Sequence, residues 1–301
     1  MTQAETIIIL VNWKLKQQTK RCLDSLGRLE EPHRILVVDN GSHDGSVEYF
    51  HAHYPQVTVL SLPENLGFGA ACNRAIQSVR ADTTWKYVLL VNNDAVLHPA
   101  ALGHLLQAAE AHPEAGILGP KIYYAAAPER LWYAGARRRW GVLAAADTGR
   151  GQVDRGQFDQ RARIDFVFGA GMLIRRAVIE KVGLFDEQFF LYLEDLDLCL
   201  RTQRAGFDLR FVPQARLWHQ VSASTEALPD WRKYHQARST VLFLLKHTPL
   251  PLAFPVLGYW LGVFVRFAIQ ETLQGNLTSP RMYLAGMLNG LRLQRARRWD
   301  G

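Results

Sequence analysis

Cysteine is scarce in this 301-residue chain: Cys22, Cys72 and Cys199 stand far apart and none belongs to a CxxC pair. That spacing excludes a disulfide scaffold and points to buried free thiols in a reducing compartment. Also lacking is an apolar run of about 20 residues, the length a membrane-spanning helix needs. Residues 248–265 come nearest, with eighteen uncharged positions, but they carry Pro249, Pro251 and Pro255 and meet Arg266 at once. Prolines shorten the usable helix, so a helix lying in a membrane interface is favoured over one that crosses it. The apolar run 7–11 has no basic residue before it and is too short for a signal core, so no secretion leader is expected. No internal repeat is visible.

What is present is a core-forming chain, 48% apolar, with a net charge of +7. The charge is placed unevenly: residues 229–301 hold ten Lys/Arg against three Asp/Glu, and everything before them sums to zero. Those basic residues are interleaved with long apolar stretches, a pattern suited to anionic lipid and not to nucleic acid. A cytoplasmic protein, peripheral on the inner face of the cell membrane, is the expectation.

From residue 7 to residue 111, short β-branched apolar runs alternate with helix-spaced segments, four times over. Such alternation implies an α/β fold with a mostly parallel sheet covered by helices. Residues 123–165 loosen into Gly, Ala, Arg and aromatics and read as a flexible insertion. Segment 166–168 reads as a strand running into a glycine bend, 194–205 as a helix, and 208–212 and 215–219 as two short strands. Three long helices are expected after residue 231. The natural division is a domain over 1–228 and a helical, basic extension over 229–301.

Ligands of parallel sheets bind at the carboxyl ends of the strands, where Asn12, Asp39, Asn40, Asn92, Asn93 and Asp94 fall. Asp39 opens the turn Asp39-Asn40-Gly41-Ser42, and a carboxylate there can accept from the ring N–H of a pyrimidine or can cap the turn. Asn65-Leu66-Gly67-Phe68-Gly69 lacks the third glycine of a dinucleotide fingerprint and follows the third strand instead of the first, which argues against an oxidoreductase. Leu90-Val91-Asn92-Asn93-Asp94 places an anionic ligand and two amides where a divalent cation could neutralise a departing diphosphate. Glu194, Asp195 and Asp197 crowd a helix start behind the aromatic run Phe189-Phe190; caps explain one acid, not three. A carboxylate on the floor of an acceptor pocket would take the proton of an attacking hydroxyl, and Asp195 is the choice. His219 ends a strand with an imidazole suited to Mn²⁺, although a lone histidine also serves structurally.

With these residues assembled, the chain resembles the family 2 glycosyltransferases of the GT-A fold, most closely the rhamnosyltransferase-like branch. The matching stretches are Val37-Val38-Asp39-Asn40-Gly41-Ser42, Asn65-Leu66-Gly67-Phe68 with Asn73, Leu90-Val91-Asn92-Asn93-Asp94, Gly169-Ala170-Gly171 through Arg176, Gly183-Leu184-Phe185-Asp186 through Leu198, and Pro213-Gln214-Ala215 to His219. They cover residues 6–247 in order. The resemblance implies a Rossmann-like GT-A domain and transfer of a hexose such as rhamnose from a dTDP- or UDP-linked donor to a lipid-linked or glycan acceptor of the cell envelope. Asp195 would be the general base of an inverting displacement, and Asp94 with His219 would hold Mn²⁺ or Mg²⁺. Asn12, Asp39, Asn65, Asn73, Asn92, Asn93, Gly171, Glu194 and Arg238 would line the donor site. The family's Asp-x-Asp is here Asn92-Asn93-Asp94, one charge fewer. A processive synthase would need several spanning helices and a Gln-x-x-Arg-Trp motif, and neither is found. An idle scaffold for envelope assembly is the remaining alternative, against which stands the joint presence of Asp39, Asp94, Asp195 and His219.

Overall fold

The computed structural model describes residues 5–139, 142–147, 149–161, 163–220 and 228–297. Strands β1 (Thr6–Asn12), β2 (Arg34–Asn40), β3 (Thr58–Leu62) and β4 (Tyr87–Asn92) alternate with helices α1 (Lys16–Leu26), α2 (Ser46–His53) and α3 (Phe68–Ser78). They form a parallel half-sheet in the order β3-β2-β1-β4. Ile7, Ile8, Ile9 and Leu10 are buried throughout, as expected of strands covered on both faces. The three cysteines are buried and free.

Beyond β4 the sheet turns mixed. The chain continues through β5 (Ala95–Leu97), α4 (Ala101–Ala111), β6 (Ala115–Tyr124), β7 (Ala127–Tyr133), β8 (Ala136–Arg139), β9 (Val142–Asp147), β10 (Gly171–Arg175), α5 (Arg176–Val182), α6 (Glu194–Arg204) and β11 (Asp208–His219). Strand β10 runs antiparallel to both β4 and β6, β11 parallel to β6, and the short β5 antiparallel to β11 at the edge. Strands β8 and β9 form a separate ribbon.

Three local expectations are corrected. The segment expected as a flexible insertion carries the end of β6 and the strands β7 to β9. It is bolted to the sheet by Lys121, 2% exposed, which donates to Asp154 at 2.8 Å and also pairs with Asp159. The expected strand at 166–168 makes only an isolated bridge, Ala136 to Phe166, and pairing starts at Gly171. Its rings are spent on packing, with Phe168 at 4.5 Å from Trp132 and 4.4 Å from Phe166. The two short strands expected over 208–219 are one, β11, interrupted where Pro213, Gln214 and Ala215 loop out between the pairs Val212–Pro120 and Arg216–Lys121. Proline cannot donate to the ladder, which favours the bulge there.

Helices α7 (Pro229–His247), α8 (Leu250–Leu273) and α9 (Thr278–Arg297) close the described chain; the last expected helical residues, 298 and 299, lie outside it. Helix α7 is tied to the sheet domain. The Ser239 hydroxyl donates to the Leu191 carbonyl at 2.7 Å, and Lys246 and His247 each reach Asp197 at 2.7 Å. Helix α9 packs closely on α7 because Gly286 has no side chain: a Cβ there would lie 2.2 Å from the Tyr234 carbonyl oxygen. Helix α8 touches α9 mainly through Phe264 and Phe267 against Tyr283.

Candidate active site

At the carboxyl ends of β1, β2 and β4 lies a cavity of about 500 Å³, lined by polar groups from the ends of β2 and β4 and by aromatic side chains from seven separate segments. The strand register places its first pair. Strand β5 follows Asp94 directly and pairs Ala95 with His219, so His219 Nε2 lies 2.9 Å from Asp94 Oδ1 and 3.2 Å from the Asn92 amide nitrogen. One Nε2 cannot both donate to Asp94 and accept from the Asn92 amide. A divalent cation in place of the proton would satisfy Asp94, His219 and a flipped Asn92 amide together. Among the described residues no group of three or more His, Cys, Asp and Glu side chains surrounds a common point, so Asp94 and His219 could supply only part of a cation's ligand set.

The second element is the start of α6. Tyr192 and Leu193 both adopt left-handed conformations at φ 69°, costly for side-chain-bearing residues and concentrated at functional sites. The turn aims Glu194 and Asp195 into the cavity. Burial raises the Asp195 carboxyl above its ordinary range, offset in part by N–H donors of Gly169 at 3.1 Å and Leu196 at 2.8 Å. Glu194 is raised as well, first by burial and then by the neighbouring charge of Asp195. Its Oε2 is buried with no partner. One helix start thus offers a strengthened base beside a carboxyl that tends to keep its proton.

Gly67 brings α3 against this turn. Its φ is +85°, and a Cβ would lie 2.2 Å from the Phe190 carbonyl oxygen. The glycine-rich stretch is thus a close-packing device between α3 and the approach to α6. Asn65 supports it, its side-chain oxygen accepting from Asn40 Nδ2 and Gly67 N, each at 2.9 Å.

Of the residues expected at the site, Asn65, Asn92, Asn93, Asp94, Glu194, Asp195 and His219 line the cavity; Asn12, Asp39, Asn73, Gly171 and Arg238 do not. Asn93 donates to Thr19, whose hydroxyl donates to Asn12, whose amide donates to Asp39 at 2.7 Å. The other Asp39 oxygen accepts from the Ser42 backbone. This buried chain cross-ties the ends of β4, β1 and β2. Asn73 anchors the 185–187 segment through Phe185 and Glu187. Gly171 sits within β10, while its neighbours Gly169 and Ala170 face the cavity. Arg238 donates through Nε to Asn289 on α9, while its Nη1 is buried with no hydrogen-bond partner.

Sequence reasoning missed the aromatic wall: Trp13, Trp132, Phe168, Trp231 and Trp260. Trp13 follows a strand-end asparagine and could have been suspected; the others come from segments whose proximity no local pattern reveals.

This architecture is that of the GT-A glycosyltransferases. The structure of Staphylococcus aureus TarS 1–349 in complex with UDP-GlcNAc superposes with a TM-score of 0.60 at 15% identity, covering 96% of this chain and 81% of that one. The mannosyltransferase PcManGT of Pyrobaculum calidifontis, in complex with GDP-Man and Mn²⁺, gives 0.58 at 15% identity over 96% and 88%. The sequence profile described as glycosyltransferase-like family 2 matches residues 4–238, and the chain belongs to that family, in its rhamnosyltransferase-like branch. It is 31% identical to the N-acetylglucosaminyl-diphospho-decaprenol L-rhamnosyltransferase of Mycobacterium tuberculosis, over 90% of this chain and 89% of the relative. The pre-mycofactocin glycosyltransferase of the same organism is 26% identical over 88% of this chain and 53% of its own length.

Proposed function

We propose that this glycosyltransferase is an inverting, metal-dependent hexosyltransferase that moves rhamnose or a related hexose from a dTDP- or UDP-linked donor to a hydroxyl of a lipid-linked or glycan acceptor. The observation that carries the reading is the sharing of one cavity by the Asp94–His219 pair and Asp195. Asp94 and His219 would hold Mn²⁺ or Mg²⁺, which when bound offsets the charge of the departing diphosphate. Asp195 accepts the acceptor's hydroxyl proton as oxygen bonds to the anomeric carbon from the face opposite the leaving group. The electron pair of the broken carbon–oxygen bond leaves with the nucleotide diphosphate, and the anomeric configuration inverts. Glu194, holding its proton, donates to a sugar hydroxyl from Oε2. Trp132, Phe166 and Phe168 give the cavity an apolar side suited to the methyl group of a 6-deoxyhexose. The region 229–301 is assigned to contact with an anionic membrane at the cytoplasmic face, where a lipid-linked acceptor would be met.

A screen of product formation across dTDP-, UDP- and GDP-sugars tests the reading. Transfer from dTDP-rhamnose with inversion, lost on chelation and restored by Mn²⁺, is the expected result. Tight donor binding with no transfer to any lipid-linked or glycan hydroxyl would refute it.

A further inference from the structure

Helix α8 is apolar on both sides. Its inner side buries Val256 and sets Phe264 at 5.5 Å and Phe267 at 5.3 Å from the Tyr283 ring. Trp260 lies on that side, lines the catalytic cavity and holds a buried Nε1 with no hydrogen-bond partner. The outer side is bare: Phe254 is 85% exposed, Leu261 58%, Ile269 55% and Leu273 82%, and nothing stands within 4 Å of where Cβ atoms of Gly258 and Gly262 would be. A helix apolar all round is normally covered all round.

The charge around this ridge identifies what covers it. Arg266, Arg281 and Arg292 are exposed, while the only acids within 229–297, Asp230 and Glu271, are each engaged, by Ser279 and Asn276. Among the described residues no helix is long and apolar enough to cross a bilayer. An apolar ridge on a helix pair whose exposed charges, among the described residues, are arginines, with insufficient reach to span, is the pattern of a helix lying in an anionic membrane surface. The cavity is then separated from the acyl chains by a single helix, about 10–12 Å across.

We infer that α8 lies in the surface of an anionic membrane with its outer ridge among the acyl chains, and that a lipid-linked acceptor reaches Asp195 along this helix, past Trp260, without leaving that surface. The inference rests on the lipid-linked acceptor proposed above, and its test separates the two. Transfer from dTDP-rhamnose is measured onto N-acetylglucosaminyl diphosphate carried either on a polyprenyl chain in phosphatidylcholine vesicles containing phosphatidylglycerol, or on a short water-soluble alkyl chain. The L261E/I269E variant is expected to bind those vesicles about tenfold more weakly or worse and to lose vesicle transfer in parallel, while keeping transfer to the soluble acceptor. Trp260→Ala is expected to keep vesicle binding and to raise KM for both acceptors.

Unchanged vesicle transfer by L261E/I269E would overturn the inference. So would unchanged vesicle binding together with a shift from dimer to monomer in light scattering, which would assign the ridge to a second copy of this chain. If the wild-type protein uses neither acceptor, the proposed acceptor fails, and with it the route past Trp260; vesicle sedimentation still decides whether the ridge meets lipid.

Discussion

A single carboxylate can be removed from this site without removing its shape. Asp195→Asn is expected to lower transfer by about 10²–10⁴-fold, the range of a lost general base, with donor affinity by calorimetry unchanged. His219→Ala should instead raise the Mn²⁺ concentration needed for half-maximal transfer, because Asp94 would keep only an amide neighbour. The pH dependence follows from the raised Asp195 and Glu194 carboxyls. Transfer should climb as pH passes above the ordinary carboxylate range and Asp195 ionises. Stability should fall across that same window, because the folded protein retains protons that the unfolded chain has released. A thermal-melt series that rises with pH there would contradict this sign. Glu194→Gln should flatten part of the melt slope. At this scale the sequence shows which side chains sit at strand ends, but not which of them bond to one another: each Asp39 oxygen accepts one hydrogen bond, from Asn12 and from Ser42.

Between elements, the start of α6 is held from three directions. Gly67 abuts Phe190, Gly169 donates to Asp195, and α7 reaches Asp197 through Lys246 and His247. Gly67→Ala should destabilise by at least about 1–3 kcal/mol from the backbone conformation alone, with further loss from the Phe190 contact, measurable by denaturant unfolding. Asp197 is fully buried; burial pushes its carboxyl up, but the His247 hydrogen bond, the Arg201 charge and Lys246 together hold it well below the usual carboxylate range. Its contribution is therefore present above that range and lost in acid. Lys246→Met should cost about 1.5–3 kcal/mol, because His247 and Arg201 still hold Asp197, and shift the acid unfolding midpoint upward. The parallel strands were legible because β-branched runs and turn chemistry announce them. Strands β7 to β9 were not, since Ala- and Arg-rich strands lack that contrast; β7 is held by pairing with β6, and β8 with β9.

Across the whole molecule, the basic bias of the last quarter was plain in the sequence, and the three helices carrying it occur as expected. What could not be read was their reach. Trp231, Gln236 and Thr240 of α7 and Trp260 of α8 join the cavity wall, because contacts set by packing of long helices leave no local signature. Removing residues from 249 onward should accordingly do more than weaken vesicle sedimentation. It should raise KM for the acceptor, since α8 supplies part of the wall, and should lower the melting temperature through loss of α9 from α7.

The looped-out trio in β11 carries one last implication. Side chains along a strand alternate faces with a period of two, so the number of residues between Val212 and Arg216 decides which way everything downstream points. Deleting Gln214 while β6 keeps its hold on residues 208–212 and three residues still loop out would set Gln220 opposite Tyr124, in the position His219 occupies, and rotate the imidazole to the far side of the sheet. A loop shortened to two residues would instead leave Arg216 on Lys121 and His219 in place, so transfer by that deletion variant reports whether chain length at this one place acts as a parity bit.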